Sequence, residues 1–311
     1  MTYVGIDVSA TTLDIAIDGG ATHTFANGDA GIAALVQWCT AHAATLVVLE
    51  ATGVYHAAVT AALVQAGIAT AVVNPRQARD FAKSTGQLAK TDTLDARVLA
   101  QFAARVQPVP RALPDVATQE LAAIVDRRRQ LVGMLTMEKN RLPTARPSVQ
   151  PSVRQHIAFL ERAISACDTD LTHWIRESPV FRAHDALLRS VPGVGPQTVG
   201  VLLAHLPELG QLTGRQIAAL IGVAPHACDS GTLRGQRHCW GGRAVIRATL
   251  YMAVVSGIKC NPVIRACYTK LRAAGKPAKV AITACMRRLI TILNAMVKTQ
   301  QRWHAPIMPT S

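Results

Sequence analysis

The sequence predicts an α/β fold for the first third of the chain and an all-α fold for the rest. Short segments with alternating apolar residues open the chain, and strand-like and helical segments then alternate as far as residue 105. Beyond a run of prolines in 108–114, only helical spacing recurs. The length of 311 residues also favours more than one domain, because a single core rarely grows past about 250–300 residues.

The N-terminal elements follow from their spacing. Tyr3–Val8 and Leu13–Ile17 alternate on either side of a short polar turn, which predicts a hairpin of two strands. Apolar runs and helical spacing then predict helix 31–43, strand 45–49, helix 55–65, strand 68–73 and helix 91–105. A hairpin followed by strands that alternate with helices indicates a mixed sheet covered by helices.

Prolines divide the all-α remainder again. Apolar residues at rough heptad spacing from Leu121 to Leu142 predict a long helix, which pairs with a second helix over 156–175. Pro143, Pro147 and Pro151 are expected to end the first of these helices. The sequence therefore predicts three domains, at 1–110, 111–180 and 181–311.

The positive charge lies at one end of the chain. Residues 230–311 hold fourteen Lys and Arg and no Asp or Glu, so they account for the whole formal net charge of +14. Such a block repels itself, whereas phosphates neutralise it with release of counterions. A solubilising surface, which is the alternative, usually mixes both signs. We therefore expect nucleic acid as a partner, and because aromatic residues make up only 4%, we expect contacts mainly to its backbone.

Other protein classes are disfavoured. Apolar runs such as Thr249–Ile258 have about half the ~18–20 residues of a membrane span. The chain opens directly on a strand-like segment, and its seven cysteines are irregularly spaced, which favours reduced thiols over a disulfide framework. We expect a cytoplasmic protein with no membrane partner.

Four acidic residues fall where an α/β fold places its sites. Asp7 and Glu50 end two predicted strands, while Asp92 and Asp95 lie three apart on one helix and share a face. Converging carboxylates repel one another unless a cation lies among them, and oxygen-only ligands favour Mg²⁺ or Mn²⁺. A paired-metal site of this kind stabilises the oxygens of a phosphoryl transfer.

Each acid also has a structural explanation. Asp92 and Asp95 fit a helix cap, and Glu50 fits a lone acid at a strand edge. Asp7 is harder to explain in this way, because an unpaired carboxylate within an apolar strand is costly.

A serine lies in a stretch rich in glycine and arginine. Ser230 is followed by Arg234, Arg237 and Arg243, whose guanidinium groups suit phosphate oxygens. An activated serine can act as a covalent nucleophile, although Asp-Ser-Gly is also a common turn. Upstream, Gly193 and Gly195 separate two helical segments. This looks like a helix-hairpin-helix, which presents backbone amides to phosphate, and an ordinary turn between helices is the alternative.

Several motifs, in one order, resemble those of the insertion-sequence 110 family of DEDD transposases, the bridge-RNA-guided serine recombinases. The resemblance spans nearly the whole chain. It is carried by Gly5-Ile6-Asp7-Val8-Ser9, Leu49-Glu50-Ala51-Thr52-Gly53, Asn74-Pro75-Arg76-Gln77, Lys90-Thr91-Asp92, Leu94-Asp95-Ala96-Arg97, Glu138-Lys139-Asn140-Arg141, the Pro192–Pro196 turn, Asp229-Ser230-Gly231, Arg234-Gly235 and Gly241-Gly242-Arg243.

The resemblance implies an N-terminal RuvC-like domain of the RNase H fold, whose DEDD acids match Asp7, Glu50, Asp92 and Asp95 and bind Mg²⁺ (or Mn²⁺). It implies a coiled-coil oligomerisation arm near 115–175 and a C-terminal transposase domain in which Ser230 forms a 5′-phosphoserine link to DNA. Implied partners are target and donor DNA, a structured guide RNA, and further copies of the chain, as dimers pairing into tetramers. Nucleic-acid contacts are expected at Lys90, Gly193, Gly195, Arg234, Arg237 and Arg243.

Three other functions stay open on the residues alone. One is a RuvC-like metal-dependent DNA nuclease or junction resolvase without a serine intermediate. Another is an actin-like or sugar-kinase ATPase, because Gly5–Asp18 also resembles a phosphate-binding hairpin; the basic block has no acidic nucleotide loop, which disfavours it. The third is a nucleic-acid scaffold without catalysis.

Overall fold

A computed structural model describes residues 1–51, 55–87, 92–110, 115–227, 229–230, 233–235 and 237–304, with the side chains of 92, 93, 233 and 234 outside the description. Two compact units divide the chain, Met1–Leu113 and Pro114–Ser311. Lys90 lies outside the described residues.

The N-terminal unit is built on a mixed sheet. Its elements in chain order are β1 Thr2–Val8, β2 Thr12–Ile17, β3 Thr22–Ala26, α1 Asp29–Ala41, β4 Ala44–Glu50, α2 His56–Gln65, β5 Thr70–Val73, α3 Pro75–Ser84 and α4 Asp92–Val106. The strand order is β3-β2-β1-β4-β5. The first three strands are antiparallel, while β4 and β5 run parallel to β1. The predicted mixed sheet is confirmed, and it is consistent with an RNase H-like domain.

Helices cover both faces of this sheet. The side chains of α1 and α2 pack with one set of alternating strand residues, which includes Val4, Ile6 and Leu13. Those of α3 and α4 pack on the other face, against Leu46 and Val48. The sheet is therefore buried on both sides, and polar side chains collect where its strands end.

Two elements of this unit were not predicted. Strand β3 pairs with β2 at the edge of the sheet and is largely exposed, so its residues lack an apolar alternation. Helix α3 begins at Pro75, and the Asn74 side chain caps it by accepting a hydrogen bond from the Arg76 backbone N–H at 2.8 Å. The prediction took Asn74–Pro75 only as the end of a strand, although asparagine followed by proline is also a helix start.

A single glycine brings α4 against the middle of the sheet. A Cβ atom at Gly5 would lie 2.2 Å from both the Ala100 backbone nitrogen and the Ala96 carbonyl oxygen. Ala16, Ala96 and Ala100 form a small buried cluster beside it. Because these four residues are so small, the backbone of α4 rests directly on β1.

The C-terminal unit is mainly helical. Its elements in chain order are α5 Val116–Arg141, α6 Gln150–Glu177, α7 Pro179–Leu188, α8 Pro196–His205, α9 Gly214–Leu220, β6 Asp229–Ser230, β7 Leu233–Arg234, α10 Ala244–Cys260, α11 Pro262–Ala273 and α12 Ala278–Thr299. The prediction of a helical remainder is confirmed.

Helices α5 and α6 form the long pair that the heptad spacing predicts. Arg128 bonds Asp168 at 2.6 Å and Lys139 bonds Glu161 at 2.8 Å across the pair. One end of the pair is fixed to α7 and α8 by a buried cluster that includes Leu121, Leu171, Phe181 and Ala204. Helix α6 begins at Gln150, six residues before the predicted start, because proline is tolerated in a first helical turn.

The longest apolar helix is part of the core. Helix α12 has the length and hydropathy of a membrane span, whereas the sequence pattern predicted no such segment. Ten of its residues are buried, and eight of them, among them Leu289, Ile290 and Leu293, pack in the main cluster of the C-terminal unit. Arg287 and Arg288 interrupt its apolar run. These contacts are those of a core helix.

The close contact between Gly5 and α4 predicts that a larger side chain at this position lowers the stability of the fold. Gly5→Ala forces its new methyl group into backbone atoms that cannot move independently, so we expect a loss at or above the upper end of the ~1–3 kcal/mol typical of overpacking. Urea unfolding measures it. Gly28→Ala is the control, since its Cβ meets nothing within 4 Å, and equal stability of the two variants would contradict the prediction.

Candidate active-site residues

The direction of α4 places its first turn beside Asp7. Gln107, just past the end of α4, donates from Nε2 to the Tyr3 hydroxyl at 2.8 Å, while Ala96 contacts Gly5 near the helix start. The helix therefore runs opposite to β1. Asp7 lies two residues beyond Gly5, about 6.5 Å along the strand and on the same face. Asp92 lies about 6 Å before Ala96 along the helix. The backbones of Asp92 and Asp7 are therefore displaced by similar distances, in the same direction, from the contact between Ala96 and Gly5.

Glu50 lies on the neighbouring strand at the same end of the sheet. We call the four positions Asp7, Glu50, Asp92 and Asp95 the acidic layer. Ile6 pairs with Leu49 in the parallel register of β1 and β4, so Asp7 and Glu50 occupy the next position at the carboxyl ends of both strands. Glu50 also shares a face with Val48, which packs in the core beneath α3 and α4. Asp7, Glu50 and Asp95 are all half-buried.

The predicted acids thus come from three elements that meet at one end of the sheet. Asp92 begins α4, and its side chain is outside the described part of the chain. Within that described part, no three His, Cys, Asp or Glu side chains form a metal-binding group on their own. The donor set consists of carboxylates only, and this chemistry fits a hard divalent cation.

The prediction missed a fifth acid on this face. Asp14 lies directly opposite Asp7 in the β1–β2 pair, and its Oδ1 accepts a hydrogen bond from the Thr24 hydroxyl at 2.6 Å. Like charges directly across a strand pair are destabilising. The signal was present in the sequence: Leu13 and Ile15 face the opposite core, so Asp14 must share the face of Asp7 once the hairpin is paired.

The serine lies near the tip of a two-stranded ribbon. Ser230 in β6 pairs with Leu233 in β7, and Asp229 pairs with Arg234. Further from the tip, His226 and His238 exchange backbone hydrogen bonds of 2.9 and 3.2 Å. Asp229 and Ser230 are exposed. The hydroxyl therefore stands at the surface of the unit, at the start of the carboxylate-free stretch. The Arg234 side chain is outside the described residues.

The ribbon is fixed to the unit at its base. Gly241 and Gly242 follow the ribbon with φ of +74° and +66°, and a Cβ at Gly242 would lie 2.3 Å from the backbone nitrogen of Gly222. Arg247 Nη1 donates to the carbonyl oxygens of Gly241 and Ile221. An exposed tip thus stands on a base that is held by backbone contacts.

The arginines predicted to bind nucleic acid differ in their surroundings. Arg237 is exposed. Arg243 instead donates two hydrogen bonds of 2.6 and 2.7 Å to the Glu208 carboxylate, and a third of 2.7 Å to the His205 carbonyl oxygen. Its side chain is only 27% exposed, so the geometry favours a structural role in holding the start of α10.

The two predicted glycines of the α7–α8 turn also differ. Gly193 has a φ of +92°, and a Cβ there would lie 2.7 Å from the Gly257 Cα in α10, so it is needed for packing. Asn261 fixes the same turn by donating from Nδ2 to the Pro192 carbonyl oxygen at 3.2 Å. Gly195 precedes α8 with open space around it. Of its two neighbours, Val194 already donates its N–H to the Val191 carbonyl oxygen at 3.0 Å and Pro196 has no N–H, so neither presents an amide to a phosphate.

Comparison with known proteins identifies the family. One transposase family model, DEDD_Tnp_IS110, matches residues 4–145, and a second, described as transposase IS116/IS110/IS902 family, matches residues 185–269. These segments include the acidic layer, the turn at Gly193 and the serine ribbon. The chain belongs to the IS110 family of transposases. As a transposase of this family, it acts on DNA.

Relatives are similar over different lengths. The pilin gene-inverting protein of Moraxella bovis is 28% identical over 309 residues, which cover 96% of each chain, and that of Moraxella lacunata is 28% identical over 312 residues. The insertion element IS110 uncharacterized 43.6 kDa protein of Streptomyces coelicolor is 26% identical over 152 residues, 48% of this chain and 36% of that protein. The similarity to the two inverting proteins therefore extends over nearly the whole transposase.

Substitutions of Arg243 and Arg237 should have different effects, the first on the stability of the fold and the second on DNA binding. Arg243→Ala leaves Glu208 without its bidentate partner, so we expect the free energy of unfolding to fall by about 2–3 kcal/mol. Arg237→Ala should change stability by less than about 0.5 kcal/mol. It should instead lower the slope of log K against log salt by about 1, because one phosphate contact is lost. Chemical unfolding and DNA titrations at several salt concentrations measure both. A full stability loss in the Arg237 variant would contradict this division.

Proposed function

We propose that this transposase is a DNA recombinase that cuts and rejoins strands through a covalent bond to Ser230, assisted by Mg²⁺ (or Mn²⁺) at Asp7, Glu50, Asp92 and Asp95. The main support is the exposed hydroxyl near the tip of the β6–β7 ribbon, on a fixed base, at the start of a sequence with fourteen cations and no carboxylate.

The serine reaction replaces one phosphoester bond with another, so the bond energy is kept for rejoining the strands. Ser230 Oγ attacks the phosphorus and forms a 5′-phosphoserine, the bond between phosphorus and the 3′ oxygen breaks, and that oxygen leaves as a 3′ hydroxyl after taking up a proton. In the reverse step, a 3′ hydroxyl of another strand attacks the phosphoserine and restores the serine. Nearby arginines balance the charge on the phosphate oxygens.

The acidic layer supplies the second half of the chemistry. Asp7, Glu50, Asp92 and Asp95 would hold a divalent cation, which when bound stabilises charge on the attacking and leaving oxygens. The side chains of Asp7, Glu50 and Asp95 are half-buried, which limits the side-chain motion that ligands must lose. A RuvC-like nuclease without a serine intermediate is the second candidate, because this layer is built within the N-terminal unit alone.

Guidance and assembly belong to the same proposal. A structured RNA would pair with target and donor DNA and choose the sites, while the chain grips the phosphate backbones. The α5–α6 pair and the turn between the two helices expose Val132, Met137, Val149 and Phe159. These apolar side chains support a helical arm that joins copies into a dimer and then a tetramer, so that an acidic layer of one copy can serve a serine of another.

Loss of the serine hydroxyl should abolish the covalent intermediate. Ser230→Ala should give no protein–DNA adduct on nicked or suicide DNA substrates, while DNA and RNA binding survive, because only the attacking oxygen is removed. Denaturing gels with labelled DNA measure the adduct. Cleavage without any adduct in the unaltered protein would select the metal-dependent nuclease instead, and an adduct formed by the variant would refute the role of Ser230.

Loss of a layer carboxylate should abolish cleavage. Asp7→Asn or Glu50→Gln removes one charged ligand, and we expect strand cleavage to fall at least about 100-fold while the fold is retained. Asp29→Asn, an exposed acid in the first turn of α1, should cleave normally. Cleavage assays across a Mg²⁺ titration, with chelator as the zero point, measure the effect. Unchanged Mg²⁺-dependent cleavage by the layer variants would refute the metal site.

A further inference from the structure

The ribbon that carries the serine also carries an exposed aromatic ring. Trp240 follows the paired residue His238 by two positions and is 53% exposed. The chain contains four tryptophans, and the other three, Trp38, Trp174 and Trp303, are half-buried. Exposing an indole costs hydrophobic free energy, so its position calls for an explanation.

Trp240 is held in place from two sides. The His226 ring lies 5.8 Å from the indole, with the ring planes inclined at 58°. On the other side, the next residue is Gly241, whose carbonyl oxygen accepts a hydrogen bond from Arg247. The tryptophan thus stays exposed beside the His226 ring, and the backbone that follows it is held by Arg247.

The surroundings are cationic. Arg237 is exposed three residues earlier, and the charge of Arg287 reaches Cys239, where it opposes the burial that raises the pKa of that thiol. Asp229 is an exposed carboxylate on the ribbon, and from Ser230 to residue 311 the sequence contains no further Asp or Glu. An aromatic face among cations is the combination that binds single-stranded nucleic acid by stacking.

We propose that Trp240 stacks on an unpaired base of the DNA strand that Ser230 cuts. The His226–His238 pair is separated from Ser230 by four residues, at most about 13 Å along the ribbon, which corresponds to about four stacked nucleotides at 3.4 Å each. Strand exchange requires bases next to the cut to leave their partners, and the exposed aromatic face lies within that distance of the serine along the ribbon. The inference deepens the proposed recombinase function and rests on it for the identity of the strand.

Fluorescence and affinity test the stacking directly. Single-stranded DNA with 2-aminopurine placed at successive positions from the cleaved phosphate should be most strongly quenched within about four nucleotides of it. Trp240→Ala should weaken binding of this DNA about 5- to 100-fold and remove the positional maximum, and Trp240→Phe should restore most of the affinity. The salt slope should stay unchanged, in contrast to Arg237→Ala, because no phosphate contact is lost.

A matched control and a second background keep the test sharp. Trp38 in α1 lies 4.1 Å from the His42 ring, so Trp38→Leu removes a similar indole–histidine pair, keeps an apolar side chain at that position, and should bind DNA normally. In a Ser230→Ala background the quenching should persist, since binding precedes chemistry. Failure of the serine chemistry then leaves the stacking result interpretable. Wild-type affinity of the Trp240→Ala variant would overturn the proposal. So would quenching of 2-aminopurine in an RNA of the same sequence but not in the DNA.

Discussion

The acidic layer depends on direct contact between the backbones of α4 and β1. Gly5 permits this contact, and Ala96 and Ala100 supply the matching flat surface on the helix. Any larger strand residue would lift α4 and carry its first turn away from the ends of β1 and β4. The position of Asp92 and Asp95 relative to Asp7 is thus fixed by a packing interaction that contains no functional group.

The separation of charge along the chain has a physical purpose in the proposed reaction. Carboxylates that hold a cation and arginines that hold phosphate would neutralise one another if they shared a surface. Arg243 and Glu208 show the effect of an arginine and a carboxylate on one surface. They form two hydrogen bonds with each other, and the guanidinium group stabilises the fold. Beyond Asp229 the sequence contains no Asp or Glu, and the exposed Arg237 on the ribbon stays available to DNA.

Local patterns predicted most of the fold because they report local constraints. Alternation identified β1 and β2, and helical spacing identified α1, α2, α4 and the α5–α6 pair. The omissions were elements with weak local signals. Strand β3 is an exposed edge strand, and α3 is announced by Asn74 and Pro75, which fit a strand end equally well. Helix α12 was not singled out as a long apolar helix, because its length comes from combining short apolar runs around Arg287 and Arg288.

The sequence by itself determined which residues stand at strand ends and turns, the concentration of positive charge, and the family motifs. Only the tertiary structure decided which of them meet. Asp14 joined the face of Asp7 through strand register, Gly193 became a packing residue through α10, and Trp240 came to stand beside the serine ribbon through a pair of histidines far from the turn. Register and packing depend on residues distant along the chain, and no local periodicity records them.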